Sequence, residues 1–166
     1  MDSFNGKTVL ITGASSGIGE AFAKKLASEK ANLIITARSK EKLYSLAEDL
    51  ESAHSIRVHV YPMDLSEPGG ARNLYEKIKE SGLSIDVLIN NAGFGKSSKF
   101  LDTGAEFYKS MITLNVNSLV ELCYLCLPEM LQKNEGGVIN VASTAAFLPL
   151  PFSTVYSATK WFVMSF

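Results

Sequence analysis

Val9-Leu10-Ile11-Thr12-Gly13-Ala14-Ser15-Ser16-Gly17-Ile18-Gly19 opens as a short apolar run and passes into a glycine-rich turn. Apolar residues then recur at helical spacing, at Ile18, Phe22 and Leu26. A buried strand, a glycine turn and a helix form the layout that aims backbone N–H groups and a helix N-terminus at a phosphate. Gly13 permits the sharp turn, and Gly17 and Gly19 leave room for a ligand and a neighbouring strand. The spacing is G-x-x-x-G-x-G rather than the usual dinucleotide fingerprint G-x-G-x-x-G. Taken alone, the loop reads either as a phosphate cradle or as a tight turn with packing glycines.

Working outward, apolar runs alternate with helical patterns. Strands are expected at Thr8–Ile11, Asn32–Ala37, Arg57–Met63, Val87–Asn90 and Val138–Ala142. Helices are expected at Ile18–Lys30, after Ser39 as a cap, and after Ser66 and Pro68, with a long one from about Ala105 to Gln132. Leu43, Leu46, Ala47 and Leu50 form the inner face of the second helix, and Ala71, Leu74 and Ile78 that of the third. Pro128 is expected to bend or end the long helix. Ser3-Phe4-Asn5 reads as a lead-in to the first strand. Short apolar strands separated by helices lie parallel, covered on both faces. The fold class is therefore α/β, a Rossmann-type doubly wound parallel sheet of strand order 3-2-1-4-5, in one domain over residues 1–166. A ligand belongs at the carboxyl ends of strands 1 and 4, where the order reverses.

With 166 residues, 46% of them hydrophobic, the chain can bury a real core. Its net charge of −1 offers no basic field for nucleic acid or an anionic membrane. No apolar run reaches membrane-span length, and the polar N-terminus lacks a signal-peptide core. Cys123 and Cys126 make no secreted disulfide framework, so a cytoplasmic location is expected. Their C-x-x-C spacing lies inside a helix pattern and reads as packing rather than redox chemistry. His54, in a polar connection, and His59, in a strand, have no ligand-spaced partners, and no metal site is expected.

The residue ending strand 2 of a nicotinamide-type site reads the adenosine ribose. An acid there bonds the 2′-hydroxyl, whereas an arginine accommodates a 2′-phosphate. Arg38 stands there with Ser39 beside it, which favours NADP over NAD; the bland reading is a solvated arginine at a helix start. Asp64 and Leu65 follow strand 3 and could hold adenine, Asp64 by its side chain and Leu65 by its backbone; Asp64 could equally cap a helix entry. Asn91-Ala92-Gly93 ends strand 4, for close approach of a ligand or for tying strand ends together through the Asn91 amide.

Ser143 follows strand 5, and Tyr156 and Lys160 stand four apart, on one face if they open a helix. A phenol titrates near ~10, and a neighbouring ammonium favours its ionised form. Ser143 could polarise a substrate oxygen. Each element alone has an ordinary surface or packing explanation.

Together, Thr12-Gly13-x-x-x-Gly17-x-Gly19, Asn90-Asn91-Ala92-Gly93, Asn115, Ser143 and Tyr156-x-x-x-Lys160 resemble the short-chain dehydrogenase/reductase family, from Lys7 to Phe166. The resemblance implies reversible hydride transfer between NADP(H) and a carbonyl or alcohol, without metal. It implies catalytic Asn115, Ser143, Tyr156 and Lys160. Tyr156 would be the acid/base, and Lys160 its activator and a ribose ligand. Ser143 would orient the substrate. Asn115 would kink the long helix and hold a relay water. The cofactor would lie on Gly13, Ser15, Ser16, Gly17, Ile18, Gly19, Arg38, Asp64, Leu65, Asn91, Ala92, Gly93, Tyr156 and Lys160. A homodimer or homotetramer through the helices after strands 4 and 5 is also implied. The family continues through two further strands, so this chain is expected to be an N-terminal portion of a longer reductase, with strand 5 left as an apolar edge. Phe94, Phe147, Leu148 and Pro149 are candidate pocket residues for a hydrophobic carbonyl. Phe94-Gly95-Lys96 departs from the pattern of 3-oxoacyl carrier-protein reductases. The competing reading is a non-catalytic nucleotide-binding sensor or scaffold, or an inactive fragment.

Overall fold

The computed structural model describes residues 4–166. Ser3 therefore lies outside the described residues; Phe4 opens a turn closed by the Lys7 N–H on its carbonyl at 3.0 Å, which delivers the chain into β1. Five parallel strands, β1 Thr8–Thr12, β2 Asn32–Ala37, β3 Val58–Pro62, β4 Val87–Asn90 and β5 Gly137–Asn140, form one sheet of order β3-β2-β1-β4-β5. The expected strand order holds.

Alternation along the strands assigns each residue to a layer. Val9, Ile11, Leu33, Ile35, Val87 and Ile89 pack under α1 (Gly17–Ser28) and α2 (Lys40–His54). Leu10, Ile34 and Leu88 face α3 (Gly70–Glu80) and α5 (Leu119–Lys133). Both faces of β1, β2 and β4 are covered, which is why these strands read as apolar runs, whereas the edge strands β3 and β5 stay half-buried, with Ile139 exposed. The expected inner faces of α2 and α3 are buried as Leu43, Leu46, Ala47 and Leu50, and as Ala71, Leu74 and Ile78.

Several expected boundaries and contacts shift. Helix α1 ends before Lys30, which takes a left-handed φ of 65°. Its buried face is Gly19, Ala23, Leu26 and Ala27, and Ile18 is exposed. Ser39 does stand at the N-cap of α2, but its hydroxyl makes no cap bond. His54 belongs to the end of α2 rather than to a connection. Helix α3 starts at Gly70, not near Ser66. Asp64 Oδ1 accepts from the Ser66 N–H at 2.9 Å and its hydroxyl at 2.6 Å, which holds Ser66 in a turn, and Gly69 enters the helix with φ 75°.

The long helix comprises α4 (Ala105–Ile112), a π-helical segment (Thr113–Ser118) and α5. Pro128 does not end it; the helix runs on to Lys133, since Tyr124, whose carbonyl loses an N–H partner, is on the solvent side. The continuous run Ala105–Lys133 is long and apolar enough by length and composition to cross a membrane, contrary to the expectation from apolar runs. Here Leu119, Leu122, Cys123, Cys126 and Met130 turn toward the sheet. After β5 come a 3-10 turn (Thr144–Ala146) and α6 (Thr154–Ser165).

Candidate functional site

The glycine turn is fastened to β2: the Gly13 and Ala14 N–H groups both donate to the Thr36 carbonyl, at 2.8 and 3.2 Å. The turn is also pressed against the end of β4. A Cβ at Gly13 would lie 2.9 Å from Ala92 Cα, and one at Gly19 only 2.3 Å from the Gly13 oxygen and 2.5 Å from Asn91 Nδ2. Gly19 thus serves packing, whereas Gly17, at φ 58° with nothing within 4 Å, supplies a left-handed backbone beside open space. Asn91 ties the strand ends by donating from Nδ2 to the carbonyls of Thr12 (2.9 Å) and Gly13 (3.2 Å). Thr12 Oγ1 accepts the Asn91 and Ala92 N–H groups at 3.0 and 2.9 Å. The Asn91 tie is the one expected of its amide; the part of the Thr12 hydroxyl was not expected, and a threonine at a strand's carboxyl end was its only trace in the sequence.

A cleft of about 610 Å³ opens at these strand ends. Of the residues expected to hold a cofactor, Gly13, Ser15, Ser16, Ile18, Arg38, Asp64, Leu65, Asn91, Ala92, Gly93, Tyr156 and Lys160 line it. Ile18 owes its exposure to this position. The cleft fits a dinucleotide on its own features. Ser16 makes no side-chain cap bond, so the first N–H groups of α1 stay available to an anion. The buried Thr36 hydroxyl on the cleft wall has no protein partner. Arg38, 71% exposed, reaches only 3.9 Å from Asp64 Oδ2, a loose pair that leaves the guanidinium able to grip a phosphate. The Leu65 carbonyl accepts the buried Ser118 hydroxyl at 2.6 Å, which fixes the Asp64–Leu65 turn to the π-helical segment.

At the other end, the i and i+4 spacing places Tyr156 and Lys160 on the cleft side of α6. Lys160 is 5% exposed and donates from Nζ to the Val141 carbonyl at 2.8 Å. Burial lowers its pKa from the ordinary lysine value. Gly93 makes room for this: a Cβ there would stand 3.4 Å from Lys160 Nζ and 3.1 Å from Asn115 Oδ1. Asn115 is 1% exposed inside the π-helical segment, so it does interrupt the long helix. Its side-chain amide is spent on protein groups. Oδ1 accepts the Phe94 N–H (3.1 Å), while Nδ2 donates to the Phe94 carbonyl and to Thr159 Oγ1, both at 3.0 Å.

Ser143 is half-buried and caps the 3-10 turn, accepting the Ala145 N–H at 3.1 Å; it is not on the cleft wall. Of the expected substrate residues, Phe94 lines the cleft, but Phe147, Leu148 and Pro149 do not. They line a separate apolar groove with Trp161 and Phe162 of α6, because the chain after β5 passes along the far side of that helix. Cys123 and Cys126 are free and buried, with both thiols pushed up by burial, Cys126 to about 12, as packing residues would be. No cluster of potential metal ligands occurs among the described residues.

The sequence matches the family described as short chain dehydrogenase over residues 7–166. The chain belongs to that family. It is 40% identical over 159 residues to the uncharacterized oxidoreductase YvrD of Bacillus subtilis (strain 168), covering 96% of this chain and 59% of that protein. It is 32% identical over 164 residues to the human very-long-chain 3-oxoacyl-CoA reductase, covering 95% of this chain and 51% of the relative. Among solved structures, a short-chain dehydrogenase from Sphingobium yanoikuyae in complex with NADPH superposes with a TM-score of 0.89 at 36% identity, covering 96% of this chain and 62% of that one. The short-chain dehydrogenase chain described here thus spans about half the length of that human relative.

Proposed function

We propose that the protein is an NADP-dependent oxidoreductase that interconverts a hydrophobic carbonyl compound and its alcohol. The observation that carries this reading is the placement of Tyr156 and buried Lys160 in the same cleft as the glycine turn and Arg38. NADPH, held on the glycine turn and Arg38, would supply the hydride. In the reductive direction Tyr156 Oη gives its proton to the substrate oxygen as the carbonyl carbon is reduced. The Lys160 ammonium stabilises the phenolate left behind. Ser143 accepts from Ala145 and so keeps its own hydroxyl proton, a donor for a substrate oxygen that extends past the cleft wall. Asn115 holds the Phe94 loop, so a relay water would fall to its backbone rather than to its amide. Phe94, Leu114, Val141 and Ala142 give the cleft its apolar wall, which suits a hydrophobic substrate.

Arg38 supports NADP over NAD. The apolar stripe of α5, with Tyr124 and Leu131 74% and 75% exposed, supports a homodimer or homotetramer packed through that helix. Two free buried thiols suit a reducing cytoplasm. Nucleotide binding without turnover is the second reading, favoured by the position of Ser143 off the cleft wall. Fluorescence titration with NADPH and NADH, followed by a ketone panel, separates the two. Turnover by the wild type that falls about 10²-fold or more in Tyr156→Phe is expected; turnover untouched by that substitution refutes the catalytic assignment, and tight NADPH binding with no turnover leaves the second reading.

A further inference from the structure

We propose that Gly95 and Thr159 are positioning residues for Tyr156, joined through Asn115 into a closed circuit that fixes the phenol from both its ring and its backbone. The ring side rests on Gly95. A Cβ there would stand 2.6 Å from Tyr156 Cδ2, 2.7 Å from Cγ and 3.1 Å from Cε2. The first two distances are too short for any side chain. They involve the root and near edge of the ring, which cannot swing away without moving the hydroxyl. Gly95 is therefore a seat, and its height is set by its neighbour: both polar groups of Phe94 are held by the Asn115 amide.

The backbone side runs through Thr159. Its hydroxyl donates to the Tyr156 carbonyl at 2.7 Å, an ordinary bond within a helix. The buried Thr159 oxygen also accepts from Asn115 Nδ2 at 3.0 Å, and that contact crosses 44 positions of sequence. Asn115 thus touches the loop that seats the ring and the residue that ties the helix turn carrying it. Losing either joint lets the phenol drift relative to the cleft, and a misplacement of about 1 Å costs on the order of 10²-fold in rate.

The proposal rests on Tyr156 being the acid/base, and its test separates the two ideas. Thr159→Val keeps the shape and removes the hydroxyl; Thr159→Ser restores it; Gly95→Ala fills the seat. Thr159→Val and Gly95→Ala are expected to lower kcat about 10- to 10²-fold, with NADPH affinity and Tm near wild type, and Thr159→Ser to recover most of kcat. Wild-type kcat in Thr159→Val, equal losses in the serine and valine variants, or losses that track unfolding would overturn it. Should the wild type turn over no ketone, the oxidoreductase reading fails by itself. Crystal structures of the variants with NADPH then decide the circuit. A displaced Tyr156 ring in Gly95→Ala and a reoriented Asn115 amide in Thr159→Val sustain it; an unmoved ring and amide refute it.

Discussion

Arg38 is the residue on which the proposed preference for NADP rests. Its only ion-pair partner among the described residues is Asp64, at 3.9 Å, and an exposed pair of that length contributes little. Little is therefore lost when the guanidinium swings to a phosphate, and a charge-assisted hydrogen bond of ~1.5–3 kcal/mol is gained. Arg38→Leu is expected to weaken NADPH binding by roughly 10- to 10²-fold while leaving NADH nearly unchanged, measured by fluorescence titration. An equal loss for both nucleotides would show that Arg38 does not read the 2′-phosphate. At this scale much was legible. Tyr156 and Lys160 are a local pair, and local spacing is what a sequence displays. The partners of Asn115 were not, because Phe94 and Thr159 lie 21 and 44 positions away and meet it only after folding.

At the scale of elements, β1 and β4 are joined at their carboxyl ends by the Asn91 amide and by the Thr12 hydroxyl, which accepts two backbone N–H groups. Thr12→Val keeps the branched shape and leaves both donors short of a partner. A loss of about 1–3 kcal/mol in stability is expected, read by urea denaturation with an unchanged m-value, together with weaker nucleotide binding as the Asn91–Gly93 loop loosens. A stability within error of wild type would show that water replaces the hydroxyl. The three central strands β1, β2 and β4 were the most legible because each is an apolar run buried on both faces; β2 and β4 fall at their expected bounds. The start of α3 was not. Ser66 and Pro68 have the propensity to open a helix, but Asp64 captures Ser66 first. The path after β5 carries no periodicity, so nothing in the sequence told which side of α6 Phe147 and Leu148 would take.

Across the whole molecule, the two ends of the sheet do different work. The carboxyl ends form the cleft, and the opposite edge carries a band of ion pairs. Glu129 of α5 accepts from Lys79 of α3 at 2.9 Å and from Ser84 at 2.8 Å, and pairs with Lys133 at 3.3 Å. Lys133 also donates to Ser84 and reaches Asp86, whose other oxygen accepts the Thr8 N–H at 2.9 Å. The Lys79 hydrogen bond, with Ser84 and Lys133, holds the Glu129 carboxyl down at about 2. A carboxylate whose pKa is lowered by folding stabilises fully above its unfolded value, near ~4.3, and loses that contribution as pH falls toward the folded value. Wild-type Tm should therefore drop more steeply than that of Glu129→Gln between pH ~4.3 and about 2, with the variant already less stable at neutral pH. Parallel Tm curves would show that the band adds nothing.

The π-helical segment has a consequence for how one helix serves two layers. One surplus residue advances the inward stripe by about 100°. The helix acts as a phase shifter: upstream of the bulge it sets the Phe107 ring edge-on to Phe94, and downstream it presents Leu119, Leu122 and Cys123 to the sheet. A loop-facing wall and a core wall are thereby cut from one continuous rod, rotated against each other across the π-helical turn.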